Sequence, residues 1–170
     1  MAMQDTIHVK GLAELGRVLQ ELPVKLERNV LRGAMRAGIN PMRNHALTNV
    51  TQASGLLAKS LKVSTRSQGG KVYAYLRTKG KHSYLANWIE FGTAAHRIFS
   101  RTGKRLRFVI NGKVILAKEV AHPGSRAIPF MRPAFDSQQN AAVVAVASYI
   151  KNRLSTKHGI DTPDIEVDEQ

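Results

Sequence analysis

Three of the six histidines lie in segments that we expect to be loops, where they could bind a metal ion. They are His82, His96 and His122. A zinc site needs three or four ligands that converge at about 2 Å from the ion, and structural sites often include cysteine. The spacing of these histidines matches no metal-binding cassette, and the chain has no cysteine. We therefore expect ordinary surface or loop histidines and no metal site.

Glu90 is the acidic residue that we consider for acid–base chemistry, because it lies between Trp88 and Phe91. A carboxylate in apolar surroundings can act as a general acid, and Asp136 is the candidate for a second carboxylate. The sequence has no GxSxG motif, no P-loop and no cysteine nucleophile. A structural ion pair of Glu90 with an arginine, such as Arg97 or Arg132, is the alternative that we favour. We predict no catalytic residues, no cofactor and no enzymatic activity.

The whole chain has a net charge of +14. Its positive charge is concentrated in the first 158 residues. All 26 Lys and Arg residues lie in this part, with seven of the twelve acidic residues, so it carries +19. Such a charge indicates a polyanionic neighbour, either nucleic acid or an acidic protein face. The alternative is a solvated surface that only improves solubility. The other five acidic residues lie in residues 159–170, which we expect to form a disordered acidic tail.

The most basic segment, RIFSRTGKRLRF followed by NGKVILAK, could contact phosphates. Lysines and arginines at this density predict salt-dependent binding without sequence preference. Only Phe99 and Phe108 interleave with them, so the sequence does not predict a stacking platform for single strands. The alternative is an exposed hairpin arm that meets a neighbouring subunit. The candidate DNA-facing or interface residues are Arg97, Phe99, Arg101, Lys104, Arg105 and Arg107.

The elements that position these residues are predicted from periodicity and turn signals. Apolar residues at helical spacing predict helices over residues 11–21, 24–50, 84–91 and 133–154. Pro41 predicts a kink or break in the second helix. Alternating residues around glycine-containing turns predict hairpins over residues 61–78 and 106–118, the second around Asn111-Gly112. The expected fold is one α+β domain over residues 1–158, in which antiparallel hairpins pack against a long N-terminal helix and a C-terminal helix.

Two further segments are predicted to lack regular structure. Residues 93–107 are expected to be a basic loop. Residues 121–136 contain Pro123, Pro129 and Pro133, which fix φ. We therefore expect a stiff, mostly extended strap that leads into the last helix. Pro133 is predicted to occupy the first position of the last helix, with Asp136 in its first turn.

Composition predicts neither disulfides nor a membrane segment. The absence of cysteine is typical of proteins in a reducing compartment. The longest apolar run, residues 141–147, is too short to cross a bilayer. The chain opens without an apolar leader and cleavage site, so we expect no secretion.

Several segments occur in an order that is typical of one protein family. GLAELGRVLQELP is followed by a long basic helix, SGLLAKSLKV, YLANWIEFGTAAH, a basic Asn-Gly hairpin and HPGSRAIPFMRPAFD. This order resembles the tail-completion (neck) family of long-tailed bacteriophages and prophages, related to the minor tail protein Z type. The resemblance covers about residues 10–155. Its most specific parts are IEFGT at residues 89–93 and PFMRPAF at residues 129–135.

The resemblance implies a small α+β structural subunit of the virion that joins the head-side connector to the tail tube. It implies a homo-oligomeric ring, expected to be a hexamer, with connector or head-closure proteins and tail terminator or tube proteins as partners. Non-specific contact with packaged DNA is a further expected interaction, and no membrane is involved. The expected location is the neck or tail of the virion, reached from the host bacterial cytoplasm. The alternative function is sequence-independent nucleic-acid binding.

By motif position, a set of residues is expected to fix the short helix and the strap. These residues are Trp88, Glu90, Phe91, Gly92, Pro129, Phe130, Arg132, Pro133 and Phe135.

Overall fold

The computed structural model describes residues 8–50, 55–160 and 166–168, and it confirms a mixed α and antiparallel β fold. The helices are α1 (Leu12–Gln20), α2 (Val24–Asn49), α3 (Leu56–Ser60), α4 (Leu85–Phe91), α5 (Met131–Ser137) and α6 (Gln139–His158). The strands are β1 (His8–Lys10), β2 (Leu61–Gln68), β3 (Lys71–Thr78), β4 (His96–Phe99), β5 (Leu106–Ile110), β6 (Lys113–Ala117), β7 (Glu119–His122) and β8 (Glu166–Asp168). They form the antiparallel pairs β1–β8, β2–β3, β4–β7 and β5–β6.

The chain groups into two compact units. Unit 1 comprises Met1–Ser83 and Phe130–Gln170, and unit 2 comprises Tyr84–Pro129. Unit 2 is therefore inserted in the chain between β3 and α5. Compact grouping does not establish independent folding, so the single domain that we expected over residues 1–158 stays a prediction.

The core of unit 1 is built on the long helix α2, which packs against α6, α5, β2 and β3. Residues four apart lie on the same face of a helix, and Val30, Ala34 and Gly38 are buried at this spacing. Leu15 from α1 and Ile150 and Leu154 from α6 complete the buried cluster around Val30 and Ala34. The predicted packing of hairpin, N-terminal helix and C-terminal helix is thus observed in this unit.

Glycines on α2 allow α6 to approach closely. A Cβ atom on Gly38 would overlap Val146 Cγ2 and would lie 3.0 Å from the carbonyl oxygen of Ala142. A Cβ atom on Gly33 would overlap the ring of Tyr149. A larger residue at Gly38 would therefore force Val146 to move and crowd the α6 backbone, whereas at Gly33 the Tyr149 side chain would have to turn away.

We expect Gly38→Ala to lower the free energy of unfolding by about 1–2 kcal/mol. Overpacking costs about 1–3 kcal/mol, and the higher helix propensity of alanine offsets up to about 1 kcal/mol of this. Urea unfolding followed by far-UV circular dichroism measures the change. Gly16→Ala in α1 is the matched control, because a Cβ atom there meets nothing within 4 Å, and it should be neutral or stabilising. A Gly38→Ala protein as stable as the wild type would contradict the close helix contact.

Both predicted hairpins are present, and their turns explain the glycine-containing sequences. Gly69 and Gly70 join β2 to β3 with φ of 56° and 73°, and Asn111 and Gly112 join β5 to β6 with φ of 49° and 76°. Two-residue turns with positive φ at both positions match the right-handed twist of the strands. The registers follow from these turns, with Gln68 opposite Lys71 and Ile110 opposite Lys113.

The long helices differ from two of the predictions. α2 continues through Pro41 to Asn49, so of the predicted kink or break the break does not occur, and the kink stays a prediction. The predicted helix over residues 133–154 is two helices, because Gln138 leaves helical geometry between α5 and α6, with φ of −112° and ψ of 16°. α6 then continues to His158 and ends at Gly159, which has φ of 62° and donates its N–H to the carbonyl of Ser155.

The segments predicted as loop and strap contain regular structure. Strands β4 and β7 lie within them, paired with His96 opposite His122. The following helix, α5, begins at Met131, so Pro133 is its third residue rather than its first. The missing N–H of Pro133 is still harmless, because the first four N–H groups of a helix have no partner within it. Asp136 lies beyond the first turn, contrary to the prediction.

Part of the predicted disordered tail forms a strand. Glu166–Asp168 pairs with His8–Lys10, with Val9 opposite Val167. The other residues of the predicted tail beyond Ile160 lie outside the described part of the chain. Among the described helices, none is both long and apolar enough to cross a bilayer.

Candidate functional site

Unit 2 exposes most of its large apolar side chains. Of the sixteen exposed large hydrophobic residues in the described part of the chain, eleven lie between Tyr84 and Pro129. The same unit contributes only Ala86 to the buried hydrophobic residues among those described. Contiguous exposed apolar surface of this kind marks interaction sites in folded proteins. The candidate functional surfaces therefore lie in unit 2.

The β5–β6 hairpin, residues 106–117, is largely apolar on both faces, and we refer to it as the arm. Cross-strand partners share a face, so Leu106, Phe108 and Ile115 lie on one side. Val109, Val114 and Leu116 lie on the other side and are 57%, 52% and 54% exposed. A strand that is apolar on both faces is typical of one that is covered on both sides. Each face also carries one charged residue, Lys113 on the first side and Arg107 on the second. The first side is open as well, since Ile110 and Ile115 are 52% and 38% exposed. The arm thus has a composition close to that of an internal sheet element, although both of its faces are partly exposed.

The short helix and the strap are joined by backbone and hydroxyl hydrogen bonds. Thr93 and Ser125 exchange backbone N–H···O bonds of 2.9 and 3.1 Å, and their hydroxyl groups lie 3.0 Å apart. The Ile128 N–H donates to the Ile89 carbonyl over 2.7 Å. The IEFGT segment is therefore in direct contact with the part of the strap that lies in unit 2, at Ser125 and Ile128.

Gly92 makes this contact possible. Its φ of 71° and ψ of −174° are accessible only to glycine. A Cβ atom on Gly92 would lie 2.5 Å from the Ser125 carbonyl oxygen and 2.8 Å from the Ala127 nitrogen. Both the backbone angles and the close contact therefore require glycine at residue 92.

The structure separates the remaining motif residues into buried and exposed groups. Glu90, at 7% exposed, and Phe130, at 0%, are buried. The exposed residues of the motif are Trp88, Phe91, Pro129, Arg132, Pro133 and Phe135. Within unit 1, Phe135 lines an apolar cavity of about 420 Å³ together with Ile39, Met42 and Leu76. The motif therefore combines core residues with residues that are available for contact.

The β4–β7 ribbon, residues 96–99 and 119–122, carries the two histidines that sequence spacing left unconnected. The rings of His96 and His122 lie 5.0 Å apart, between centroids, on neighbouring strands. The Gly124 N–H donates to His122 Nδ1 over 3.0 Å, so the neutral ring carries its proton on Nε2. His96 Nδ1 donates to the Ala94 carbonyl over 2.8 Å, which leaves its Nε2 as an acceptor in the neutral form. Both rings are thus oriented by the backbone.

The basic side chains of this region are exposed. Arg97 forms an ion pair of 3.2 Å with Glu119, and the two side chains are 71% and 51% exposed. Arg97 is one of the two arginines that we considered as partners of Glu90. The other basic residues that we predicted to contact DNA or a neighbouring subunit are also exposed. They are Arg101, Lys104, Arg105 and Arg107. Exposed ion pairs contribute little to stability, so these charges are available for a partner.

One cavity of unit 2 is lined by side chains that are far apart in the sequence. It has a volume of about 610 Å³, and its lining includes Trp88, Arg97, Phe99 and Arg101. The basic segment could be recognised from sequence, but Trp88 precedes it by nine residues, so no local pattern placed an indole beside it. The pairing of β4 with β7 also brings Ser125 and His122 to this cavity.

Within the described ranges, no three His, Asp or Glu side chains converge as a metal site requires. Comparison of the chain with protein-family models, curated proteins and solved structures gave no match.

Proposed function

We propose that the chain is a structural virion protein of a tailed bacteriophage or prophage, which joins or completes the tail at the neck as one subunit of a ring. The observation that carries this proposal is the arm, both of whose faces are largely apolar and partly exposed. Its neighbours in the virion would be connector or head-closure proteins and tail terminator or tube proteins. It would act in the virion after assembly in the host cytoplasm, without enzymatic chemistry.

The arm supports self-association for an energetic reason. Isolated two-stranded hairpins are marginally stable in water, and further packing on their apolar faces is what stabilises them. Val109, Val114 and Leu116 would be covered by a neighbouring copy of the chain. Rings form when one surface of a subunit meets a different surface of the next and the rotation closes. The sequence resemblance favours a closed ring over an open filament, and a hexamer is the size that it implies.

The charges around the arm fit a regulated assembly. Arg105 precedes β5 and Arg107 lies within it. Lys113 is the first residue of β6, and Lys118 follows that strand. Charged residues on strand edges suppress unspecific edge-to-edge pairing. In a ring around a DNA exit path, the net positive charge would also favour non-specific contact with the phosphates of packaged DNA.

The mass of the full-length protein in solution tests the proposal. We would measure it by light scattering at low and moderate salt, with and without duplex DNA. A discrete oligomer that persists at moderate salt is the expected result. A monomer that coats duplex DNA at low salt and releases it steeply as salt rises would favour sequence-independent nucleic-acid binding instead. The exposed arginines of residues 97–107 are the observation that keeps this second function as a candidate.

We expect Val114→Lys to weaken self-association at least tenfold, because a lysine ammonium group would have to be buried at the interface. The matched control is Val144→Lys on α6, since Val144 is 46% exposed, similar to the 52% of Val114. Both variants add one positive charge, and the control should associate like the wild type. Sedimentation velocity over a concentration series measures the difference. An equal effect of the two variants would attribute the loss to net charge and contradict an interface at the arm.

A further inference from the structure

The cavity of unit 2 beside the β4–β7 ribbon combines exposed aromatic rings with cationic groups. Six of the side chains that line its volume of about 610 Å³ are Trp88, His96, Arg97, Phe99, Arg101 and His122. We propose that this cavity binds unpaired nucleotides of a single-stranded nucleic acid, with phosphate at the arginines and a base on an aromatic ring. The inference goes beyond the assembly role, and it concerns a different surface from the arm.

The aromatic groups provide the stacking surface. Trp88 is 53% exposed and Phe99 is 68% exposed, which is unusual for rings that contribute only to a core. Tyr84 packs edge-to-face against Trp88, with 5.0 Å between ring centroids, and so restricts the indole. Every base has an apolar face that can stack on such rings, and for this reason stacking tolerates any sequence. This stacking surface was not predicted from the sequence, because the indole lies outside the basic segment.

The cationic and polar groups provide the phosphate contacts. Arg97 is held by Glu119 over 3.2 Å, and Arg101 lies in the exposed turn that follows β4. Arginine presents several N–H donors in one plane and therefore suits phosphate oxygens. The backbone bond to His122 Nδ1 leaves its Nε2–H with no partner among the residues described, so this proton is available to an anionic oxygen. The hydroxyl pair of Thr93 and Ser125 adds neutral hydrogen-bonding groups to the same cavity.

Unpaired nucleotides fit this surface better than a duplex or an acidic peptide. The bases of a duplex are stacked on one another, so their faces cannot reach Trp88 or Phe99. An acidic peptide would use the arginines but leave both rings without a stacking partner. His96 and Ile98 lie on one face of β4, while Arg97 and Phe99 lie on the other, and all four line the cavity. Arg97 and Phe99 therefore share a face of β4, which places a cation and a ring where one nucleotide could contact both.

The sole tryptophan of the chain makes the proposal directly measurable. We would titrate the full-length protein with an oligo(dT) strand and record the fluorescence of Trp88, with anisotropy of a labelled strand as a second readout. The expected result is saturable quenching by the single strand. A duplex with the same number of phosphates, and an oligoglutamate of equal charge, should quench little at the same salt concentration. Equal quenching by either one would overturn the proposal.

Variants separate stacking from general charge. Phe99→Ala should weaken oligo(dT) binding about tenfold, which corresponds to the loss of one stacked base. Arg101→Gln should weaken it more than Arg153→Gln on α6, although both variants remove one exposed positive charge. Phe99→Ala binding as tightly as the wild type, or equal effects of the two arginine variants, would contradict the site. Val114→Lys should retain oligo(dT) binding, so failure of the assembly role and failure of this site are distinguishable.

Discussion

Replacing Phe130 by alanine should lower the free energy of unfolding of unit 1 by about 3–5 kcal/mol. Phe130 is 0% exposed and is among the largest fully buried side chains of the described residues. Deletion of a buried phenyl group removes its transfer free energy and leaves a cavity that the surroundings fill only in part. Domains of this kind are stable by about 5–15 kcal/mol, so the loss is a large part of the total. Urea unfolding followed by far-UV circular dichroism reports on unit 1, which contains most of the helical residues.

The control is the second phenylalanine of the same motif. Phe135 lies five residues later in α5 and is 56% exposed, so Phe135→Ala should cost about 1 kcal/mol or less. Phe130→Leu keeps part of the apolar volume and should lie between the two, which preserves the test if Phe130→Ala does not fold. Similar losses for Phe130→Ala and Phe135→Ala would show that burial does not distinguish the two positions. The expected difference would show that Phe135 contributes little to the free energy of unfolding. Contact with a partner would then be a reason for an aromatic residue at this exposed position.

Most of the helices and hairpins could be predicted because their signals are local. α2 follows from apolar residues such as Val30 and Ala34 at a spacing of four, and the arm follows from Asn111-Gly112 between two apolar runs. Both patterns are complete within a few turns of chain. The end of α5 was missed because no glycine or proline marks it. α2 remains one helix through Pro41 because its packing against α5, α6 and the β2–β3 hairpin outweighs one lost hydrogen bond.

Strands β4 and β7 could not be predicted for a different reason. Each has four residues, HRIF and EVAH, and in neither sequence do polar and apolar residues alternate, although alternate residues of β7 are partly buried. Their pairing depends on contacts between residues about twenty positions apart, such as Ile98 and Val120. The candidate nucleotide site depends on the same pairing, so it could not be found by inspection of the basic segment. The interface residues of the arm, in contrast, were recognisable because the whole hairpin is contiguous in sequence.

Replacing Gly92 by alanine should destabilise unit 2 by about 3 kcal/mol or more. The backbone of Gly92 lies in a region that costs other residues about 1–3 kcal/mol. The added Cβ would lie 2.5 Å from the Ser125 carbonyl oxygen, which is itself fixed by the bond from the Thr93 N–H. Relief of this overlap requires the strap to move, at the cost of overpacking or of lost hydrogen bonds. Amide hydrogen exchange at Thr93, Ser125 and Ile128 should accelerate about 100-fold or more.

Gly103→Ala separates the two causes of this loss. Gly103 has the same φ of 71°, but a Cβ atom on it meets nothing within 4 Å. It therefore has the conformational cost of positive φ, about 1–2 kcal/mol, without the steric overlap. Fluorescence of Trp88 during unfolding reports on unit 2 and should show the larger loss for Gly92→Ala. If both variants lost the same amount, strain at positive φ would explain the requirement for glycine, and the close contact of the short helix with the strap would not be its cause.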